Sequence, residues 1–177
     1  KKGIEVLLLT DRVDEWLVSH LTDYKQKALQ SVAKGALDLG ELEDKTDKEA
    51  LEKVAEEHKG LVERIQTVLG EGVKEARISN RLTESPACLV VGDYDMSANL
   101  QRVMKQLGQD APATAPILEI NVSHPMVEKM DTEPDEDRFA DLAKILLDQA
   151  TLAEGGQLED PAAFVHRLNK LMLSLSA

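Results

Sequence analysis

Asp11 follows the apolar run Ile4-Glu5-Val6-Leu7-Leu8-Leu9 and precedes a helical stripe of Val13, Trp16, Leu17 and Leu21. α/β enzymes hold catalytic or metal-binding acids at the carboxyl ends of strands, so Asp11 and Asp14 are the side chains best placed for chemistry. One reading is therefore a piece of an α/β enzyme with these two acids as a ligand or metal site. An acid at such a position also caps a helix, which is its commoner use. The rest of the chain offers catalysis little. His20, His58, His124 and His166 lack ligand spacing, and Cys88, the single cysteine, has no second thiol with which to hold zinc. There is no Gly-rich phosphate loop and no nucleophile elbow. His58 falls in the apolar stripe of a long helix and reads as a core or boundary histidine. Cys88 lies inside a strand and reads as an inert small apolar residue. No catalytic, cofactor-binding or metal-binding residue is assigned.

The net charge is −12 over 177 residues. An acidic surface repels phosphate, which argues against nucleic acid and against anionic membrane as partners. No apolar run approaches the length of a membrane span. One cysteine allows no internal disulfide, which fits a reducing cytoplasm, and the first residues carry no signal-peptide pattern. Aromatic residues make up only 3%, so the core must be built from Leu, Val, Ile, Ala and Met.

The elements that must position any site follow from periodicity. Ile4–Leu9 reads as a buried strand of a parallel sheet, followed at once by the helix after Asp11. Leu29–Val32 is a candidate edge strand. No second buried strand lies near, so residues 1–40 read as the remnant of an α/β domain whose earlier strands are missing. Two glycines and several acids mark Gly35 to Asp47 as a linker, with 41–47 between the two domains. A long helix is expected from Asp47 to Leu69, with Leu51, Val54, Leu61, Val62, Ile65 and Leu69 on one side and Gly70 at its end. Val73–Leu82 alternates as a strand, with Ala87–Val91 as its hairpin mate after a turn at Ser85-Pro86. A short helix is expected from Asp95 to Leu107, and a Pro-containing loop from Gln109 to Pro116. Ile117–Val122 is a third strand, and His124-Pro125 opens another short helix. The fold class is α+β: a truncated strand–helix segment, then a three-stranded sheet with helices.

The end of the chain is a helical hairpin. One helix begins near Arg138 and carries Phe139, Leu142, Leu146 and Ala150 on one face. Gly155-Gly156 breaks it. Asp160-Pro161 starts the other, an acid at the cap and a proline at the first position. Its stripe is Phe164, Val165, Leu168, Leu171, Met172 and Leu175. Adjoining helices with a short loop pack antiparallel, and these have more apolar surface than one neighbour covers. Docking on a second copy gives a dimeric four-helix bundle, with Leu146, Ala150, Phe164, Val165, Leu168, Leu171, Met172 and Leu175 at the contact. The Asp95 helix places Met96, Leu100, Val103, Met104 and Leu107 opposite Gln101, Arg102, Lys105 and Gln106. Taken alone such a stripe is core; if it faces water, its flexible methionines suit a binding patch for apolar stretches of other proteins.

Several stretches resemble one family. Gly3 to Trp16 is similar to the distal part of the middle domain of bacterial heat shock protein 90 chaperones. Arg77 to Pro86, Ile117 to Asn121 with His124-Pro125, Leu146 to Ala150 and Leu158 to Pro161 resemble that family's carboxy-terminal domain, in the same order. The resemblance implies an ATP-driven homodimeric chaperone acting in protein folding under stress, with residues 48–177 as the dimerisation domain. It implies that ATP and magnesium bind in an amino-terminal domain upstream of Lys1, as does the arginine that reaches the γ-phosphate. These residues are then not expected to bind or hydrolyse nucleotide. It also implies that a short amphipathic helix contacts unfolded clients; Met96, Leu100, Val103 and Met104 occupy the matching positions. No acidic Glu-Glu-Val-Asp tail closes the sequence, so tetratricopeptide co-chaperones are not expected.

Overall fold

The protein is seen as a computed structural model that describes residues 5–11, 13–35, 45–97, 100–101, 104, 108 and 114–174. Residues 5–10 are in no strand, and Leu8 is 85% exposed. The buried strand expected here is not formed. A continuous apolar strand needs neighbours on both sides to take its backbone hydrogen bonds, and no described residue supplies them. Helix α1 (Asp14–His20) starts later than expected, and the capping roles are reversed: Asp14 Oδ2 accepts from the Asp11 N–H at 2.9 Å. Val13, Trp16, Leu17 and Leu21 are exposed, so this stripe is not core. β1 (Asp23–Tyr24) and β2 (Lys27–Ala28) form a tight hairpin that turns through positive φ at Lys25 and Gln26, the twist such two-residue turns need. β2 lies just before the edge strand expected at Leu29–Val32, which is not formed.

The long helix is two helices, α2 (Lys45–Glu57) and α3 (Lys59–Leu69). α2 begins inside the stretch expected as linker. The bend is at His58 (φ −102°, ψ 16°), where the side chain reaches Asp131 and Gly60 weakens the helix just beyond. Gly70, at φ +51°, ends α3 and opens a 3₁₀ turn over Gly70–Gly72.

β3 (Glu75–Ile78), β4 (Ala87–Val90) and β5 (Ile117–Ile120) form one sheet in the order β3-β5-β4. β5 runs parallel to β3 and antiparallel to β4, so the expected β3–β4 hairpin is replaced by an insertion. β5 is buried at all four positions and belongs in the centre, whereas β3 and β4 are each buried only in part and suit the edges. Gln66 of α3 closes the open side of β3: its Oε1 accepts from the Ala76 N–H at 2.7 Å, and its Nε2 donates to the Val73 carbonyl.

Three helices follow. α4 (Pro125–Asp131) is capped by His124 Nδ1, which accepts from the Met126 N–H. α5 (Glu136–Ala153) is capped by Asp135, and α6 (Pro161–Ser174) by Asp160, whose Oδ1 accepts from the Ala163 N–H at 2.9 Å. Ala76, Ala87, Leu118 and Ile120 form one face of the sheet. They pack with Leu61 and Ile65 of α3, Val127 and Met130 of α4, and Phe139, Leu142, Ala143, Leu146 and Ala150 of α5. The Arg64 guanidinium lies 3.8 Å from the centre of the buried Phe139 ring. No helix among the described residues is long and apolar enough to cross a membrane.

Candidate functional site

α5 and α6 are tied along their length by charge. Arg167 Nη2 meets Asp148 Oδ2 at 2.8 Å, and Lys170 Nζ meets Asp141 Oδ2 at 2.6 Å, so the two helices run antiparallel. The hydrogen bond from Asp141, then its charge, raises the Lys170 pKa above the ordinary lysine value. Leu146 and Ala150, expected at a contact between copies, point instead into the chain's own core, because α5 spends that face on the sheet. Phe164, Leu168 and Leu171 are half-buried. Val165 and Met172 are exposed, as are Leu173 and, on α5, Leu152. No residue of α6 is buried. Leu175 lies outside the described residues.

The Asp95 region is described only in part. Leu100, Gln101 and Met104 are helical; Val103 and Leu107 lie outside the described residues. Ser97 Oγ accepts from the Leu100 N–H at 3.1 Å, as an N-cap hydroxyl does, so the helix opens two residues later than Asp95. Leu100 and Met104, one turn apart, share a face; Leu100 is exposed, and Met104 and Met96 are half-buried.

The face of the sheet away from the helices carries a charged row that sequence reading missed. Arg77, Glu119 and Cys88 stand side by side across β3, β5 and β4. Glu119 is 2% exposed. Its Oε1 accepts from Arg77 Nη2 at 2.8 Å and Arg81 Nη2 at 2.9 Å; its Oε2 accepts from Ser79 Oγ at 3.1 Å. Arg81 Nε is 2.7 Å from Oε2, an ion-pair contact whose angle falls outside hydrogen-bond geometry. Residues 32–35 cover this row. The signal was present: one acid inside an apolar strand, and Arg77, Ser79 and Arg81 at alternate positions in and just after the strand it joins. Burial, and next the Glu119 carboxylate, push the Cys88 thiol up to about 11.

Asp11 and Asp14 bond to each other's backbone at the start of α1, and no sheet formed by residues 5–10 presents them. Among the described residues, no cluster of three or more His, Cys, Asp or Glu side chains is placed to hold a metal ion. An open groove of about 610 Å³ beside α3 is lined by Glu57, Arg64, Thr67, Asp131 and Glu136; Arg64 is already engaged by Glu136 at 2.9 Å.

These features define an α+β module, and residues 1–176 match the family described as Hsp90 protein. The chain belongs to the heat shock protein 90 family. It is 60% identical over 176 residues to the chaperone protein HtpG of Chromobacterium violaceum, covering 99% of this chain and 28% of that protein. It is 62% identical over 174 residues to the chaperone protein HtpG of Nitrosospira multiformis, covering 98% of this chain and 27% of that protein. With the chaperone protein HtpG of Dechloromonas aromatica it shares 58% over 177 residues, 100% of this chain and 28% of the relative. The chain thus spans little more than a quarter of the length of these relatives.

Proposed function

We propose that this chain is the self-association and client-contact portion of an ATP-driven cytoplasmic chaperone. Residues 1–40 then belong to its middle domain, 41–47 to a linker and 48–177 to its dimerisation domain. The observation that carries the reading is α6. It is an amphipathic helix of 14 residues with no buried side chain, lying along α5 with Val165 51% exposed. A second copy related by a two-fold axis offers the same face, and four helices then share one apolar seam. Leu146 and Ala150 serve that seam by fixing α5 on the sheet. Phe164, Val165, Leu168, Leu171, Met172 and Leu175 line it. Exposed Leu100 and half-buried Met104 support a patch for apolar client segments, together with Met96, Val103 and Leu107. In this reading nucleotide is bound and hydrolysed elsewhere in the full protein.

The test is particle mass by light scattering at micromolar concentration. The expected value is twice the chain's 19.5 kDa. Leu168→Glu and Val165→Glu are each expected to give monomers with unchanged helical circular dichroism. A wild-type monomer, or dimers that survive both substitutions, places self-association elsewhere.

A further inference from the structure

β4 ends at Val90, and the chain turns before it reaches the helical residues Leu100 and Met104. One residue closes that turn. The Asp95 N–H donates to the Gly92 carbonyl at 3.0 Å, and Asp95 Oδ2 accepts from the Gly92 N–H, also at 3.0 Å. Both backbone polar groups of Gly92 are thus held by Asp95. The same Oδ2 lies 3.4 Å from Lys74 Nζ. Lys74 stands just ahead of β3, and its N–H donates to the carbonyl of Pro116, just ahead of β5, at 2.8 Å. Asp95 therefore ties the turn to the place where two strands of the sheet begin.

The joint is shaped for its occupants. A Cβ on Gly92 would lie 2.6 Å from Asp95 Oδ2 and 3.4 Å from Lys74 Nζ, so a larger residue would push the carboxylate out. Beyond Asp95, side chains go on directing the chain. Ser97 Oγ accepts from the Leu100 N–H, and Gln101 Nε2 donates to the Met96 carbonyl at 3.0 Å. The Gln101 N–H donates to the Ser97 carbonyl at 3.0 Å, so helical bonding starts two residues past the joint. A helix is stiff, and a tilt at its start is magnified by the time the chain reaches Met104. The Lys74–Asp95 pair is half open to water and holds weakly by itself. The Gly92 bond closes the turn, and the ion pair sets which way the turn leans on the sheet.

We propose that Asp95 is a positioning residue for client contact, with Lys74 as its anchor on the sheet. Together they fix where the helix bearing Leu100 and Met104 leaves the sheet. Neither side chain touches the client; both act through the helix. This rests on the client-contact reading above. A patch held in one direction binds without first having to be ordered.

The test follows two readouts on the intact protein. One is the binding of reduced, carboxymethylated α-lactalbumin, a permanently unfolded chain, by fluorescence anisotropy. The other is residue-resolved hydrogen exchange. Asp95→Ala removes both links and should weaken binding about fivefold. Asp95→Asn keeps an acceptor for Gly92 and loses the charge, so it and Lys74→Met should each weaken binding about twofold. Lys74→Arg keeps the charge and should bind as the wild type does. In Asp95→Ala the Leu100 and Gln101 amides should exchange about fivefold faster, with Leu118 and Ile120 unchanged. Equal acceleration at Leu118 and Ile120 would mean a general loss of stability and overturns the proposal. Wild-type rates at Leu100 and Gln101 overturn it too. Met104→Ser separates the two readings. If it weakens binding and Asp95→Ala does not, positioning is overturned and client contact stands. If Met104→Ser leaves binding unchanged, client contact itself fails, and the role of Asp95 in setting the helix stands or falls on the exchange rates. Should Asp95→Ala not fold, Lys74→Met carries the test, and unchanged binding and exchange in that variant overturn the proposal.

Discussion

Glu119 shows how one side chain organises one face of a sheet. It is a carboxylate 2% exposed, held by Arg77, Arg81 and Ser79. Removing one member of a buried ion cluster leaves the others desolvated and unpaired. Glu119→Gln is therefore expected to destabilise the fold by about 3–5 kcal/mol, measured by urea unfolding. Its neighbour Cys88 gives a second test. Burial and then the Glu119 charge raise the thiol pKa from 9.0 to about 11. The folded chain thus keeps a proton that the unfolded chain gives up near pH 9. The stability linked to this proton is fully present below pH 9 and is lost as the pH rises towards 11. Alkylation of Cys88 in the folded protein should stay slow through neutral pH and accelerate only near pH 11, whereas the urea-unfolded chain should accelerate near pH 9.

At the scale of elements, the Asp95 region is where sequence and structure lead to the same experiment. Leu100 and Met104 share a helical face, with Leu100 exposed. Met104→Ser should weaken binding of an unfolded client while shifting the unfolding midpoint by the equivalent of under about 1 kcal/mol. A large stability loss with unchanged client binding would make Met104 a packing residue instead. Elements with local signals were legible in the sequence. α5 and α6 begin where an acid caps the first turn, and their apolar residues repeat at three-and-four spacing. Pairing was not legible. β3 and β5 are parallel partners roughly forty residues apart, and nothing in the spacing of β3 and β4 shows that a later strand will enter between them. The bend at His58 depends on Asp131, far along the chain, which periodicity cannot see. Apolar content made Ile4–Leu9 look like a strand, but strand formation is decided by partners. The charged row was half legible: the residues were visible, and the chain segment that buries them was not.

At the scale of the whole molecule, self-association must overcome like charge. Each copy carries −12, so two copies repel, while the proposed seam is apolar. Raising the ionic strength is therefore expected to tighten the dimer, seen as a lower concentration at which the particle mass halves on dilution. An interface made chiefly of ion pairs between copies would respond in the opposite sense. The Asp148–Arg167 and Asp141–Lys170 pairs do not change that sign, since each joins two helices of one chain.

The β3-β5-β4 order also bears on how the protein is made. Both outer strands are synthesised before the strand that joins them, so each leaves the ribosome with the edge that β5 later fills still open. Neither can pair as it does in the finished sheet until Ile120 has cleared the exit tunnel. A nascent chain stalled between Val90 and Ile117 is thus a client in its own right, displaying the bare strand edges that folding helpers exist to shield.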